Sequence, residues 1–266
     1  LGAITLTTTP GPPPGPTAVA EAVVARVRAE GADAGLGVLP WDEEALGLRA
    51  RLALLHEHLG EPWPDMSDAA LAERAEEWLA PAVTRLAGQA GGVNGASGPG
   101  GSASGSGSRR FSLERLDVAQ ALRALLPWPQ AARLDELVPE RIEVPSGSQV
   151  RVDYTAAVGG AAGSAGSMGS AGSAEAGQVG RPVLAVRVQE CFGWAATPRI
   201  VEGRVAVLLH LLSPARRPVA VTDDLASFWE QGYPQVRAEM RGRYPKHAWP
   251  EDPWNAPATR GTGRRR

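Results

Sequence analysis

Cysteine and lysine are almost absent from this sequence, since each occurs once in 266 residues, as Cys191 and Lys246. A single cysteine excludes an internal disulfide and a cysteine-rich zinc site, and it is typical of a reducing compartment. The single lysine follows a proline, so the sequence contains no G-x-x-x-x-G-K-[ST] motif to hold nucleotide phosphates. We therefore expect that this chain alone does not hydrolyse ATP.

Long apolar runs are also missing. None approaches the about 18 residues of a membrane span, and the longest, "VAVLLHLL" from Val205 to Leu212, is interrupted by His210. The N-terminus lacks the charged start and apolar core of a signal peptide. These absences predict a cytoplasmic protein with no membrane partner. Because "LGAITL" at the start resembles a strand without an upstream neighbour, we expect the sequence to be the C-terminal portion of something longer.

Catalytic and metal-binding motifs are equally scarce. No serine lies in a G-x-S-x-G elbow, and His56 and His58 are two residues apart, which places them on different faces of a helix. Cys191 has apolar neighbours and is predicted to be a buried small hydrophobe. A hydrolase that uses His247 and Asp252 is conceivable, but no nucleophile accompanies them. The sequence thus predicts no catalytic residue and no metal ligand.

Composition and periodicity divide the chain into segments. Residues 1–16 are interpreted as the end of an upstream accessory β-domain plus a linker, and 17–87 as a helical region. Helices are predicted from Pro16, from about Asp42 to Leu59, and after an N-cap at Ser67. Residues 88–108 and 156–181 consist largely of glycine, serine and alanine and are predicted to be disordered. The remaining stretch, 109–266, is predicted to be one α+β domain.

That last domain begins with a predicted helix capped by Ser112 and ended by Pro127, followed by a short helix from Gln130 to Leu137. Five segments then alternate at period two or are apolar enough for strands: "ERIEV", "QVRVDY", "PVLAVRVQ", "RVAVLLHLL" and "PVAVT". They predict a small, mostly antiparallel sheet compatible with a barrel. C-terminal helices are expected after an N-cap at Thr222 and from Pro234.

Tryptophan is enriched, because eight of the few aromatic residues are indoles. Most of them lie beside proline, in "LPW", "EPWPD", "LPWPQ" and "AWPEDPW". Proline ends a helix and an indole buries a large area, so these corners predict tryptophans that cover hydrophobic layers.

Basic residues are concentrated at the C-terminus, where ten Lys/Arg stand against six Asp/Glu from Ser213 onward. Two interpretations of "RGRYPKHAWPEDPWNAP" remain open. The motif could bind nucleic acid, with cations on phosphates and rings stacked on bases. Alternatively, Tyr244 and Trp249 anchor the segment while Arg241 and Arg243 pair with Glu239, Glu251 or Asp252. The candidate nucleic-acid-binding residues are Arg237, Arg241, Arg243, Tyr244, Lys246, His247 and Trp249.

Four longer motifs carry a resemblance to a known family: "VPSGSQVRVDY", "PVLAVRVQECFG", "LLHLLSPARRPVAVTDDLASFW" and "VRAEMRGRYPKHAWPEDP". Together they resemble the C-terminal region of the HrpB family of bacterial ATP-dependent, DEAH-box-like RNA helicases. "LPWDEEALGLRARL" and "WPDMSDAALAERAEEWLAP" are similar more loosely. The two glycine-rich insertions depart from the family, in which short turns would occupy these positions.

The resemblance implies two RecA-like motor domains in the same polypeptide, absent from this chain, together with ATP and Mg²⁺ as cofactors of the whole family. No cofactor is expected here, since the motor motifs are missing. The implied function is a C-terminal accessory region that packs on the motor domains and contacts RNA or another single-stranded nucleic acid. The alternative is a free-standing nucleic-acid or protein binding module.

Overall fold

A computed structural model describes residues 14–29, 31–91, 111–155 and 181–262, except for the side chains of 31–33 and 91. The predicted N-terminal strand and nearly all of both predicted disordered insertions lie outside the described residues. The chain forms two compact units. The first contains Leu1–Ala45 and Ser67–Leu125, and the second contains Leu46–Met66 and Leu126–Arg266.

The fold is mixed α and β, as predicted. Its helices are α1 Pro16–Ala29, α2 Gly31–Leu36, α3 Glu43–Leu59, α4 Asp68–Glu73, α5 Ala75–Gly91, α6 Val118–Arg123, α7 Trp128–Leu137, α8 Leu225–Ser227 and α9 Tyr233–Arg243. Its strands are β1 Arg141–Glu143, β2 Gln149–Asp153, β3 Val183–Arg187, β4 Arg199–Ile200, β5 Val205–Ala206, β6 Leu208–Leu212 and β7 Pro218–Thr222. In the described residues, no helix is long and apolar enough to cross a membrane.

The first unit is built around the pairing of α1 with α5. Val24 and Val27 of α1 and Trp78 of α5 are buried, as the apolar periodicity predicted. Helix α2 approaches α1 closely, because a Cβ added to Gly35 would lie 2.2 Å from the carbonyl oxygen of Val27. Glycine is therefore required at position 35 for the backbones to meet.

The helix predicted after Ser67 is divided into α4 and α5 at Arg74. Ser67 caps α4 as predicted, since its Oγ accepts a hydrogen bond from the Ala70 N–H at 3.3 Å. The break occurs where the carbonyl oxygen of Leu71 accepts the indole N–H of Trp78 at 2.9 Å. Helix α5 then continues to Gly91, past the start of the stretch predicted to be disordered.

Two predicted caps are wrong. Ser112 precedes a 3₁₀ turn, Leu113–Arg115, and makes no capping bond; α6 is capped by Asp117, whose Oδ1 accepts from the Gln120 N–H at 2.7 Å. Thr222 likewise bonds locally to the backbone of Asp224, and Asp224 caps α8. In both cases the N-cap is an aspartate closer to the helix, and its negative charge interacts favourably with the positive end of the helix dipole.

The sheet is open, which corrects the barrel-like prediction. Its strand order is β1-β2-β3-β6-β7, so β1 and β7 lie at opposite edges and do not close a barrel. The β3–β6 pair is parallel, and the other pairs are antiparallel. The long connection from β3 to β6 makes the parallel pairing possible, because it returns the chain to the end of the sheet where β3 began.

That connection contains a hairpin which the sequence did not predict. The apolar run "RVAVLLHLL" is split at Val207. The N–H of Val207 donates to the carbonyl oxygen of Pro198 at 3.0 Å and not to a strand of the five-stranded sheet. As a result β5 pairs with β4 and only β6 joins the five-stranded sheet. Five apolar residues on the inward face of that sheet are buried: Val152, Leu184, Val186, Leu209 and Leu211.

Residues preceding the sheet are held by a buried arginine. Arg51 of α3 donates from Nε to the carbonyl oxygen of Val138 at 2.7 Å and pairs with Asp135 and Glu140. The Asp135 and Glu140 carboxylates remain exposed to solvent, so only the guanidinium loses its hydration. This contact fixes α7 against α3 within the second unit.

Candidate nucleic-acid interface

The C-terminal basic motif begins in the last turn of α9 and then folds back onto that helix. Residues 244–253 are called the clasp below. Tyr233, at the start of α9, is buried and donates its hydroxyl to the carbonyl oxygen of Pro250 at 2.9 Å. Its ring packs edge-on against Phe192, Phe228 and Trp229. The clasp is thus tied to the aromatic core of the second unit.

Two of the candidate binding residues hold the clasp in place. Trp249 is only 7% exposed, and its indole N–H donates to the carbonyl oxygen of Tyr244 at 3.0 Å. Arg237 donates from Nε to the carbonyl oxygen of Trp249 at 3.0 Å and pairs with Glu251 at 2.8 Å. One interpretation of the sequence predicted that Arg241 and Arg243 form the ion pairs that hold this segment, but the ion pair with Glu251 is made by Arg237. Trp249 is therefore not available for stacking on a base.

Tyr244 and His247 contact one another. Their rings are perpendicular with centroids 6.2 Å apart, and both side chains are half-buried. Burial, and secondly the nearby Arg187 guanidinium, lower the pKa of His247 below its usual value. Folding therefore favours the neutral form of His247. Arg187 lies on β3, distant in sequence, and was not among the predicted site residues.

Arg241, Arg243 and Lys246 are the candidates that remain on the surface. All three are exposed, and none makes a hydrogen bond or ion pair with the part of the chain that the structure describes. Arg241 and Arg243 belong to the last turn of α9, and Lys246 follows in the clasp. The arrangement presents three cations to solvent on a rigid support, which suits the binding of an anionic chain.

A second group of arginines lies elsewhere in the same unit. Arg181, Arg199 and Arg204 line an open cavity of about 470 Å³, together with Glu57, His58, Asp223 and Asp224. Arg181 pairs with Asp223, whereas Arg199 and Arg204 donate to backbone carbonyl oxygens. Three carboxylates balance the three guanidinium groups, so this cavity does not favour a polyanion.

The described residues contain no group of three or more His, Cys, Asp or Glu side chains that could hold a metal ion. Cys191 is fully buried, in agreement with its predicted role as a small hydrophobe. Burial, and secondly the charge of Glu190, raise the pKa of the Cys191 thiol. This thiol is not poised to act as a nucleophile.

The sequence and the fold of this chain are similar to those of known helicases. Residues 103–253 match the family described as ATP-dependent helicase C-terminal, HrpB_C. The chain is similar to the ATP-dependent RNA helicase HrpB of Escherichia coli K12, with 39% identity over 231 residues that cover 86% of this chain and 23% of that protein.

Two solved Escherichia coli structures are also similar. One, of the DExH-box NTPase HrpB, has a TM-score of 0.70 and 36% identity, covering 94% of this chain and 25% of that one. The other, of the DEAH/RHA helicase HrpB, has a TM-score of 0.61 and 33% identity, covering 92% and 25%. The chain spans about a quarter of the length of these relatives.

Proposed function

Because this chain belongs to the HrpB family as an ATP-dependent helicase C-terminal region, we propose that it is an accessory region of such a helicase. In this role it packs on the motor domains and contacts nucleic-acid phosphates through Arg241, Arg243 and Lys246. The observation that carries the proposal is the extent of the similarity, which covers 86% of this chain but only 23% of a helicase. The motif that would hold ATP phosphates is missing from the present sequence.

The phosphate contact is supported by how the candidate residues are distributed. Arg237 and Trp249 hold the clasp, and Tyr244 and His247 pack on each other. The three exposed candidates are all cations, and contacts from arginine or lysine to phosphate carry no information about the nucleotide sequence. We therefore propose binding that does not depend on nucleotide sequence.

The size of this contribution follows from counterion release. Each phosphate contact on a single strand adds about 0.7 to the slope of log affinity against log salt, so three contacts add about 2. Affinity should then fall about 20-fold between 50 and 200 mM salt through these residues alone.

The test is the salt dependence of RNA binding. Fluorescence anisotropy of a labelled single-stranded RNA is measured with the 266-residue chain and with the variant Arg241→Gln/Arg243→Gln/Lys246→Gln. We expect the slope of the variant to be smaller by about 2. The matched control removes three charges elsewhere, Arg74→Gln/Arg123→Gln/Arg133→Gln, whose exposed ion pairs contribute little to stability. Equal slopes for the two variants would contradict the assignment of these residues.

A separate experiment tests whether ATP hydrolysis belongs to the motor domains and not to this chain. ATP turnover by the purified chain should be indistinguishable from buffer, with or without RNA. Sustained turnover would contradict the proposal that the motor lies on another part of the polypeptide. A free-standing binding module, in contrast, would bind RNA and show no affinity for motor domains.

A further inference from the structure

Trp128 differs from every other tryptophan of the chain. All eight lie within the described ranges, and seven of them are buried or half-buried, whereas Trp128 is 84% exposed. The indoles of Trp41, Trp78, Trp229 and Trp249 donate to backbone carbonyl oxygens. The indole N–H of Trp128 makes no such bond within the described residues. The prediction that Pro-Trp corners generally cover a hydrophobic layer is thus wrong at this corner.

The exposed indole belongs to a small apolar surface. Helix α7 buries Leu134 and Leu137 on its inner side. Ala131 and Ala132, three and four residues after Trp128, are exposed on the same side as the indole. The first turns of α7 therefore present a large ring beside two small residues, a shape that can enter a pocket.

The ring is held on a rigid support. Pro127 precedes the helix in an extended conformation, Pro129 occupies the second helical position, and the N–H groups of Gln130 and Ala131 bond to the Pro127 carbonyl oxygen. Proline on both sides removes backbone freedom before any partner arrives, which lowers the entropy lost on binding.

The charges around Trp128 distinguish between two kinds of partner. A nucleobase stacked on the indole would need cations nearby for its phosphates. The one cation of α7, Arg133, already pairs with Glu202 and Glu136, so the helix offers no unpaired cation beside the indole. The absence of an unpaired cation on this helix is unfavourable for nucleic acid and favours a protein partner with an apolar pocket.

We infer that Trp128, flanked by Ala131 and Ala132, anchors this region in an apolar pocket on the part of an HrpB-type helicase that this chain lacks. The relatives of known structure are about four times as long as the stretch they share with this chain, so they contain protein surface to provide such a pocket. This inference rests on the proposed function and names the contact by which the accessory region packs on the motor.

The experiment uses the full 266-residue chain and a separate polypeptide that carries the motor domains of an HrpB-type helicase. Their affinity is measured by isothermal titration calorimetry for the unmodified chain, Trp128→Ala and Trp128→Phe. A buried tryptophan anchor predicts a loss of about 30-fold for the alanine variant and a smaller loss for the phenylalanine variant. The matched control is Val221→Ala, which truncates another apolar side chain that is 44% exposed.

The outcomes separate this inference from the proposed function. If the unmodified chain does not bind the motor polypeptide, the proposed packing is contradicted. If it binds and Trp128→Ala binds equally well, the packing stands and the anchor is contradicted. A variant that loses RNA affinity but keeps motor affinity would instead make Trp128 a base-stacking residue. Since the side chain is exposed, thermal melting of Trp128→Ala should match that of the unmodified chain, which confirms that the variant is folded.

Discussion

Replacing Trp249 by phenylalanine tests whether the clasp supports the fold or stacks on a base. The substitution keeps an aromatic ring but removes the hydrogen bond from the indole to the carbonyl oxygen of Tyr244, 3.0 Å long. Loss of that bond costs about 1 kcal/mol. The smaller ring leaves a cavity at a site that is only 7% exposed, which costs about 1 kcal/mol more. We therefore expect the free energy of unfolding to fall by about 2 kcal/mol.

The assay combines urea unfolding, followed by circular dichroism, with RNA anisotropy in the absence of urea. For Trp249→Phe we expect reduced stability and unchanged RNA affinity. Arg241→Gln/Lys246→Gln should do the opposite: its stability changes by less than about 0.5 kcal/mol, and its salt slope falls by about 1.4. If Trp249→Phe kept its stability and lost RNA affinity several-fold, the ring would be a stacking platform and the structural role would be refuted.

Three further predictions concern packing and titration. Gly35→Ala should lower the free energy of unfolding by more than about 2 kcal/mol, because the new Cβ would clash with the backbone of Val27. Gly88→Ala, on a helix with open space around the new Cβ, should raise it by about 0.5–1 kcal/mol. Urea titrations compare the two variants, and equal effects would contradict the close approach of α2 to α1. Folding lowers the pKa of His247, so its contribution to stability is complete above the unfolded-state pKa and is lost as pH falls from there through the lower folded-state pKa. NMR titration should find that Arg187→Met raises this pKa, and an unchanged value would exclude the guanidinium as a cause. The buried thiol of Cys191 should react with a thiol reagent only after unfolding, and rapid labelling of the folded chain would contradict its burial.

Local features of the fold were predictable because they depend on nearby residues. The apolar spacing of α1 and α3 and the alternation in β1 and β2 indicate both the type of element and its buried side. Features that depend on distant partners were not. Nothing in the spacing of β3 and β6 distinguishes parallel from antiparallel pairing. Nothing in β1 or β7 shows that these two strands lie at opposite edges of the sheet and do not pair.

The candidate site shows the same limit. Sequence placed seven residues in one motif, but only three of them are exposed without partners in the described structure. Whether Arg237 or Arg241 pairs with Glu251 depends on which side of α9 the clasp returns to, and that direction is set by Tyr233 and Pro250. The exposure of Trp128 could not be predicted either, since its Pro-Trp-Pro setting resembles that of the buried Trp63.

The antiparallel pairing of Asp153 with Val183 has a practical consequence for protein engineering. It holds both ends of the intervening segment at neighbouring positions, whatever the length of that segment. Loop closure entropy grows only logarithmically with length, so the junction can accept foreign sequence at small cost. A fluorescent domain whose own termini are close together could be inserted there to report on the second unit without disturbing either the basic surface or the exposed indole.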